Sequence, residues 1–204
     1  MRSATQRRFV GGPVGTIECA VDRPAGGARG YALIAHPHPL FGGTLDNKVV
    51  QTLARAFVEL GYEAWRPNFR GVGASEGRYD EGRGEVEDLH AICRVFESPN
   101  LVLAGFSFGG AMQARLGELV KCERMVLVAP AVTSFPSPRV PPNTLVIHGE
   151  RDETVPLAAV FDWARPQNLP VVVVPGGEHF FHQRLNLLRS IVTSSWPGRT
   201  NALG

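Results

Sequence analysis

Two segments of the chain are apolar at every position, and they constrain the fold more than any other feature. They are Leu101-Val102-Leu103-Ala104 and Val171-Val172-Val173-Val174. A strand with one face in water alternates apolar and polar residues, whereas a strand covered by helices on both faces is apolar throughout. Both segments are therefore predicted to be strands inside a parallel sheet, where they build the core rather than a site.

Other short apolar runs alternate with longer amphipathic segments, which is the pattern of strand–helix–strand units. The first two of eight predicted strands should form an antiparallel hairpin across residues 11–14, and the other six should be parallel. The predicted strands are Arg7–Val10, Gly15–Val21, Tyr31–His36, Glu63–Pro67, Leu101–Phe106, Met125–Ala129, Thr144–His148 and Val171–Pro175. The predicted helices are Asp46–Leu60, Glu85–Phe96, Phe108–Val120, Leu157–Ala164 and Phe180–Trp196. The expected class is α/β, a three-layer sandwich around a mostly parallel eight-stranded sheet.

The length and composition fit one domain spanning residues 1–204. A hydrophobic content of 44% and a charged content of 20% are ordinary for globular proteins and argue against disorder. The proline-rich segment 130–143 is predicted to be an exposed loop, too short to form a lid.

Charge and hydropathy exclude several classes of partner. The net charge of +2 is spread along the chain without a block of like charges, so no nucleic-acid partner is predicted. No apolar run is long enough to span a membrane, and the first ten residues lack the apolar part of a secretion signal. The three cysteines have no spacing typical of a disulfide framework or a thiolate metal site. We therefore expect a cytoplasmic protein that binds neither membrane nor metal, and the oligomeric state stays open.

The segment Gly105-Phe106-Ser107-Phe108-Gly109 carries the strongest indication of chemistry. It lies between a predicted strand and a predicted helix, which places Ser107 on the sharp turn that the GxSxG nucleophile pattern requires. The first N–H group of the helix, that of Phe108, would then face the reaction centre and stabilise an oxyanion. A glycine-rich turn could also simply join a strand to a helix, but this context favours Ser107 as a nucleophile.

A serine nucleophile needs a base and an acid that orients the base. Asp152 and His179 follow the last two predicted strands, at the edge where open α/β sheets bind ligands. Their order after the serine is the one that this kind of nucleophile turn requires. The competing residues nearby are Glu150, Glu153 and His182. His182 is predicted to lie inside the last helix, so Asp152 and His179 are favoured.

The loop that begins at His36 should supply the second oxyanion donor. Two of its residues are prolines, which have no N–H, so the donor is either His38 or Leu40, and His38 is favoured. The spacing of His36 and His38 would suit a metal, but no cluster of further ligands follows, and no metal is predicted. Thr44 or Asp46 is expected to cap the next helix.

Several apolar side chains could contact a substrate, although buried aromatic residues usually belong to the core. These candidates are Leu40, Phe41, Phe69, Phe106, Phe108 and Phe135. Arg70 could attract an acidic substrate, but a role as a hydrogen-bonded loop brace is favoured. His148 is expected to brace the loop that carries Asp152.

Two motifs resemble those of the α/β-hydrolase superfamily. The first resembles the signature of a small, lidless bacterial subgroup related to dienelactone hydrolases. Its residues are His36-Pro37-His38-Pro39-Leu40-Phe41-Gly42-Gly43-Thr44-Leu45-Asp46-Asn47-Lys48. Residues 68–77 are similar to the loop after the fourth strand of that superfamily. The resemblance places Ser107, Asp152 and His179 at the triad positions and implies the α/β-hydrolase fold without a cap domain. Dienelactone hydrolases carry cysteine as the nucleophile, so dienelactone is not the expected substrate.

The expected function is that of a serine hydrolase that cleaves a small ester or thioester through an acyl-enzyme. Its partner would be a small acyl substrate, and no cofactor is expected. Two alternatives remain open at this point: a non-catalytic binding protein that has kept the fold, and a peptidase or carbon–carbon bond hydrolase that uses the same triad.

Overall fold

The computed structural model describes residues 4–196, so positions 1–3 and 197–204 of the predicted domain lie outside the described residues. Within that range one eight-stranded sheet forms the centre of the molecule. Its strands are β1 (Gln6–Gly12), β2 (Gly15–Asp22), β3 (Tyr31–Ala35), β4 (Glu63–Pro67), β5 (Leu101–Phe106), β6 (Arg124–Val128), β7 (Leu145–Gly149) and β8 (Val171–Val174). They are ordered β1-β2-β4-β3-β5-β6-β7-β8.

The pairing of the strands confirms the predicted hairpin and the mostly parallel sheet. β1 and β2 pair in antiparallel fashion, and β2 continues antiparallel onto β4. From β4 to β8 every pair is parallel. The carboxyl ends of six strands therefore lie along one edge of the sheet.

Helices cover both faces of the sheet and complete three layers. They are α1 (Lys48–Glu59), α2 (Arg83–Cys93), α3 (Phe108–Leu116), α4 (Leu157–Ala164) and α5 (Leu185–Ser194). α1 and α5 pack with Ile34 and Ala104 on one face, whereas α2 and α3 pack with Leu33 and Leu103 on the other. Successive residues of a strand point to opposite faces, which explains why a buried strand here must be apolar throughout.

The segment between β6 and β7, residues 129–144, contains no helix or strand. It is therefore a loop, as predicted, and no cap domain is inserted there. Within the described range, none of the helices is both long enough and apolar enough to cross a membrane.

Several local predictions differ from the structure. α3 ends at Leu116 rather than Val120, and two further differences lie near the site. The last helix begins at Leu185 rather than Phe180, because Phe181 and Gln183 adopt positive φ angles of 54° and 59°, which a right-handed helix does not contain. His182 consequently lies before the helix and not inside it. The cap of α1 is Asn47 rather than Thr44 or Asp46, since its Oδ1 accepts hydrogen bonds from the N–H groups of residues 49 and 50.

Candidate active site

Ser107 alone makes the turn between β5 and α3. Its backbone has φ 55° and ψ −117°, a conformation that a non-glycine residue adopts only when its surroundings impose it. The Ser107 N–H donates to the carbonyl oxygen of Val128 at 2.9 Å, and the Ser107 carbonyl accepts from the N–H of Ala131 at 3.1 Å. The ends of neighbouring segments thus hold the turn, and the serine lies at the carboxyl edge of the sheet.

The close approach of α3 to the sheet explains one of the glycines beside Ser107. A Cβ atom on Gly109 would collide with the carbonyl oxygen of Ala35 at the end of β3. Only glycine lets the first turn of α3 pass so close to that strand. The N-terminus of the helix is thereby brought to the loop that follows β3.

Asp152, His179 and Ser107 form one hydrogen-bonded chain. His179 Nδ1 lies 2.7 Å from Asp152 Oδ2, and His179 Nε2 lies 3.1 Å from Ser107 Oγ. His179 and Ser107 are 72 positions apart in the sequence, and the turns after β5, β7 and β8 bring the three side chains together. All three residues are buried, with exposed fractions of 7% or less.

The competing titratable residues lie elsewhere. Glu150 accepts a hydrogen bond from the N–H of Gly176 at 2.7 Å, and Glu153 is exposed. His182 Nδ1 lies 3.3 Å from a carboxylate oxygen of Glu178 at the surface. The structure therefore links Ser107 to His179 and Asp152, which are the histidine and the carboxylate favoured from the sequence.

Hydrogen bonds keep the Asp152 side chain ionised. Burial by itself would raise the pKa of this carboxyl, but the hydrogen bonds from His179 and from the N–H of Val155 outweigh it and lower the pKa below its usual value. An ionised carboxylate only accepts, so His179 carries its proton on Nδ1. Nε2 is then free to accept from the Ser107 hydroxyl, as a general base must.

His148 supports the loop that carries Asp152 through contacts with Val155 and Asp152, as expected. Its Nε2 lies 2.9 Å from the carbonyl oxygen of Val155 and 3.4 Å from Asp152 Oδ2. The side chain is fully buried, and this burial lowers the pKa of His148. The ring is therefore neutral at neutral pH and donates from Nε2 to the loop.

Two backbone N–H groups are candidates for the oxyanion hole. Phe108 is the first residue of α3, where an N–H has no acceptor within its own helix. The Leu40 N–H already donates to His38 Nδ1 at 3.2 Å, which leaves the His38 N–H as the better second donor.

The His36 ring orients the peptide group that contains the His38 N–H. The Phe69 N–H donates to His36 Nε2 at 3.0 Å, so the ring proton is on Nδ1, which lies 2.6 Å from the Pro37 carbonyl oxygen. In a trans peptide the C=O and the N–H point in opposite directions, so the His38 N–H is directed away from this ring. Burial lowers the pKa of His36 to about 4, and the ring stays neutral at pH 7.

The contacts of His36 also leave no free lone pair for a metal ion. Nε2 uses its lone pair on the Phe69 N–H, and Nδ1 carries the proton. Among residues 4–196, no group of three or more His, Cys, Asp or Glu side chains is arranged to hold a metal. Both rings form hydrogen bonds with backbone groups of this loop, His36 to the Pro37 carbonyl and His38 from the Leu40 N–H.

Comparisons with known proteins identify the family. A family model described as serine aminopeptidase, S33, matches residues 42–142. An α/β serine hydrolase homologue from Coxiella burnetii is 41% identical, with a TM-score of 0.84 over 93% of this chain and 96% of that chain. An α/β serine hydrolase without a lid from Xanthomonas campestris is 35% identical, with a TM-score of 0.88 over 95% of this chain and 94% of that chain.

The chain belongs to the lidless α/β serine hydrolases. An uncharacterised protein from Rickettsia prowazekii is 32% identical over 197 residues, which cover 86% of this chain and 82% of that protein. The two solved structures support the α/β-hydrolase fold and the serine hydrolase class, and residues 4–196 contain no cap domain between β6 and β7.

The residues predicted to contact the substrate of this hydrolase fall into two groups. Leu40 and Phe41 are 66% and 85% exposed, whereas Phe69 and Phe106 are almost completely buried. Phe106 packs against the His179 ring with centroids 4.9 Å apart. The buried pair therefore supports other site residues from the core, and the exposed pair is available to a ligand.

Phe108 and Phe135 complete the set of predicted contacts. Phe108 is fully buried, and Phe135 is partly buried, with ring centroids 4.8 Å apart. Both rings pack beside His38. They therefore pack behind the loop that begins at His36.

Two residues near the site were missed by sequence reasoning. Phe180 is 44% exposed, and its ring lies 5.1 Å from the His179 ring. Tyr79 Oη lies 3.2 Å from His38 Nε2. The position of Phe180 next to His179 could have indicated its place near the site, but the segment was expected to be helical. Nothing in the sequence linked Tyr79 to His38.

Proposed function

We propose that this serine hydrolase cleaves small carboxylic esters or thioesters through an acyl-enzyme on Ser107. The observation that carries the proposal is the hydrogen-bonded chain from Asp152 through His179 to Ser107, with distances of 2.7 and 3.1 Å. These hydrogen bonds link acid, base and serine in the order that an activated serine needs, with His179 Nε2 facing the Ser107 hydroxyl.

The reaction then follows in two halves. His179 Nε2 takes the Ser107 proton as Oγ attacks the carbonyl carbon, and the N–H groups of Phe108 and His38 bind the oxyanion. The imidazolium, stabilised by Asp152, returns the proton to the leaving oxygen or sulfur. Water repeats the sequence on the acyl-enzyme and releases the acid.

The surroundings of Ser107 support a small acyl substrate with an apolar part. The loop 129–144 places no cap over the site. Phe180 is an exposed apolar side chain beside His179, and Leu40 and Phe41 are exposed in the turn that follows His38. Exposed apolar side chains beside a reactive group favour apolar ligands.

A peptidase on the same triad is the second candidate. The observation that favours it is the description of the matching family model as a serine aminopeptidase. The match ends at residue 142, before Asp152 and His179, so it contains neither the proposed acid nor the proposed base. Amide and ester hydrolysis would use the same steps and differ in the leaving group.

The deciding experiment combines one variant with a substrate panel. Ser107→Ala should lower kcat on p-nitrophenyl acetate by about a million-fold, the loss that follows removal of the serine in a well-studied serine protease. A fluorophosphonate probe should label the wild type and not this variant. Ser190→Ala is the matched control, because Ser190 is exposed on α5 and should keep full activity and labelling.

The panel separates the substrate classes. Short p-nitrophenyl esters, thioesters and aminoacyl amides are compared by kcat/KM, and the esters or thioesters should be cleaved best. Better cleavage of the aminoacyl amides would favour the peptidase. Near-wild-type esterase activity in Ser107→Ala would remove Ser107 from the mechanism.

A further inference from the structure

The imidazole of His38 makes two hydrogen bonds that the proposed reaction does not use. Nδ1 lies 3.2 Å from the Leu40 N–H, and Nε2 lies 3.2 Å from Tyr79 Oη. A backbone N–H only donates, so Nδ1 carries no proton. The neutral ring then has its proton on Nε2 and donates it to the Tyr79 oxygen.

The same residue organises the turn that follows it. The His38 carbonyl accepts hydrogen bonds from the N–H groups of Phe41 and Gly43, both at 3.1 Å. The His38 side chain also caps the short 3₁₀ turn Pro39–Phe41 by accepting from the Leu40 N–H. The ring and the backbone of His38 are therefore coupled through this turn.

The end of the turn, at Gly43, packs closely against the peptide group that precedes the turn. A Cβ atom on Gly43 would collide with the Pro37 carbonyl oxygen, which belongs to the peptide group that also contains the His38 N–H. That carbonyl in turn accepts from His36 Nδ1. The peptide group that contains the His38 N–H is therefore in contact with Gly43 on one side and is held by His36 through the Pro37 carbonyl.

Tyr79 contacts both residues proposed to bind the oxyanion. Its ring centroid lies 5.0 Å from that of His38 and 6.1 Å from that of Phe108. The rings of His38 and Phe108 are themselves 5.0 Å apart. Tyr79 lies between β4 and α2, so it links a third loop to the two that carry the donors.

We propose that Tyr79 is a positioning residue for the oxyanion hole. Its hydroxyl holds the His38 ring, and the ring holds the turn on which the His38 N–H is carried. The inference rests on the proposed function, because it requires the His38 N–H to bind the oxyanion.

The first test removes the hydroxyl and keeps the ring. Tyr79→Phe should lower kcat on p-nitrophenyl acetate about fivefold, the size of one neutral hydrogen bond, with KM changed less than about twofold. The affinity for an alkyl boronic acid should fall by the same factor, because its tetrahedral adduct on serine places an oxygen in the hole. Tyr31→Phe is the control, since Tyr31 is also half-buried but begins β3 at the opposite edge of the sheet.

The second test approaches the same hydrogen bond from His38. In His38→Asn the amide oxygen can replace Nδ1 as the acceptor for Leu40, but nothing replaces Nε2 opposite Tyr79. This variant should lose the same factor in kcat as Tyr79→Phe, and the double variant should lose no more, because the pair acts as one unit. Circular dichroism should show that all three variants are folded.

Three outcomes would overturn the inference: unchanged kcat and boronate affinity in Tyr79→Phe, losses that multiply in the double variant, or a rise in KM without a loss of kcat. The last would make Tyr79 a substrate contact instead. Ser107→Ala separates these outcomes from failure of the proposed function, since retained activity in that variant contradicts the function itself.

Discussion

At the scale of single residues, the site depends on which of two carboxylates in one loop lies next to His179. Glu150 and Asp152 are two carboxylates in one loop, yet only Asp152 reaches His179, at 2.7 Å. Its other oxygen accepts from the N–H groups of Thr154 and Val155 at 2.9 and 2.8 Å. Those bonds hold the carboxylate in one orientation. Burial opposes ionisation, but the hydrogen bonds from His179 and from the Val155 N–H lower the pKa of Asp152.

Asp152→Asn should therefore disable the site with little change in shape. An amide that donates to His179 Nδ1 forces the proton onto Nε2, which then cannot take the proton of Ser107. We expect kcat to fall about ten-thousand-fold with KM little changed, as the same change does in a serine protease. Glu150→Gln is the control, and equal losses in both variants would contradict the role of Asp152.

At the scale of elements, a buried ion pair fixes the loop after β4 to α2. Arg70 Nε and Nη2 each lie 2.8 Å from an oxygen of Asp88, and both side chains are almost completely buried. This loop also carries Phe69 and Tyr79, which contact His36 and His38. Arg70 is thus the loop brace favoured from the sequence rather than a substrate contact.

Arg70→Met should destabilise the protein strongly, because it leaves the Asp88 carboxylate buried without its partner. We expect the free energy of unfolding in urea to fall by about 3–5 kcal/mol, and the double variant with Asp88→Leu to recover most of it. Arg165→Met breaks an exposed pair with Asp162 and should cost less than about 1 kcal/mol. Similar losses from the two arginine changes would rule out the brace.

Element boundaries show where sequence reasoning stops. α4 begins and ends at the predicted residues, because the apolar spacing that predicts a helix is visible in the local sequence. The start of α5 was missed, because the positive φ angles of Phe181 and Gln183 depend on how the segment after β8 is held. Periodicity describes which side chains face the core and carries no information about such angles.

At the scale of the whole molecule, burial of neutral histidines makes stability depend on pH. The pKa of His36 is lowered from 6.5 to about 4, chiefly because its ring is enclosed by protein. Between those values the unfolded chain binds a proton that the folded chain excludes. Stability from this residue is therefore fully present above pH 6.5 and is lost as the pH falls toward 4.

The expected loss from His36 alone is about 3 kcal/mol between neutral pH and about pH 4. His36→Gln has no titratable group at this position, so its unfolding free energy should fall less steeply over the same interval. Urea denaturation of both proteins at several pH values measures the difference, in which shared contributions from other groups cancel. Parallel pH profiles would show that His36 is not held neutral by the fold.

The sequence by itself determined the α/β class, the mostly parallel sheet and the position of the strand-to-helix turn at Ser107, because periodicity and glycine spacing are properties of neighbouring residues. Only the tertiary structure decided that Asp152 rather than Glu150 meets His179, that the His36 ring hydrogen-bonds to the Pro37 carbonyl and to the Phe69 N–H, and that Tyr79 contacts His38. The reason is physical. These relations are hydrogen bonds between side chains and backbone groups on different loops, such as the one between Tyr79 and His38 across 41 positions of sequence, and their geometry exists only after the strand ends meet at one edge of the sheet.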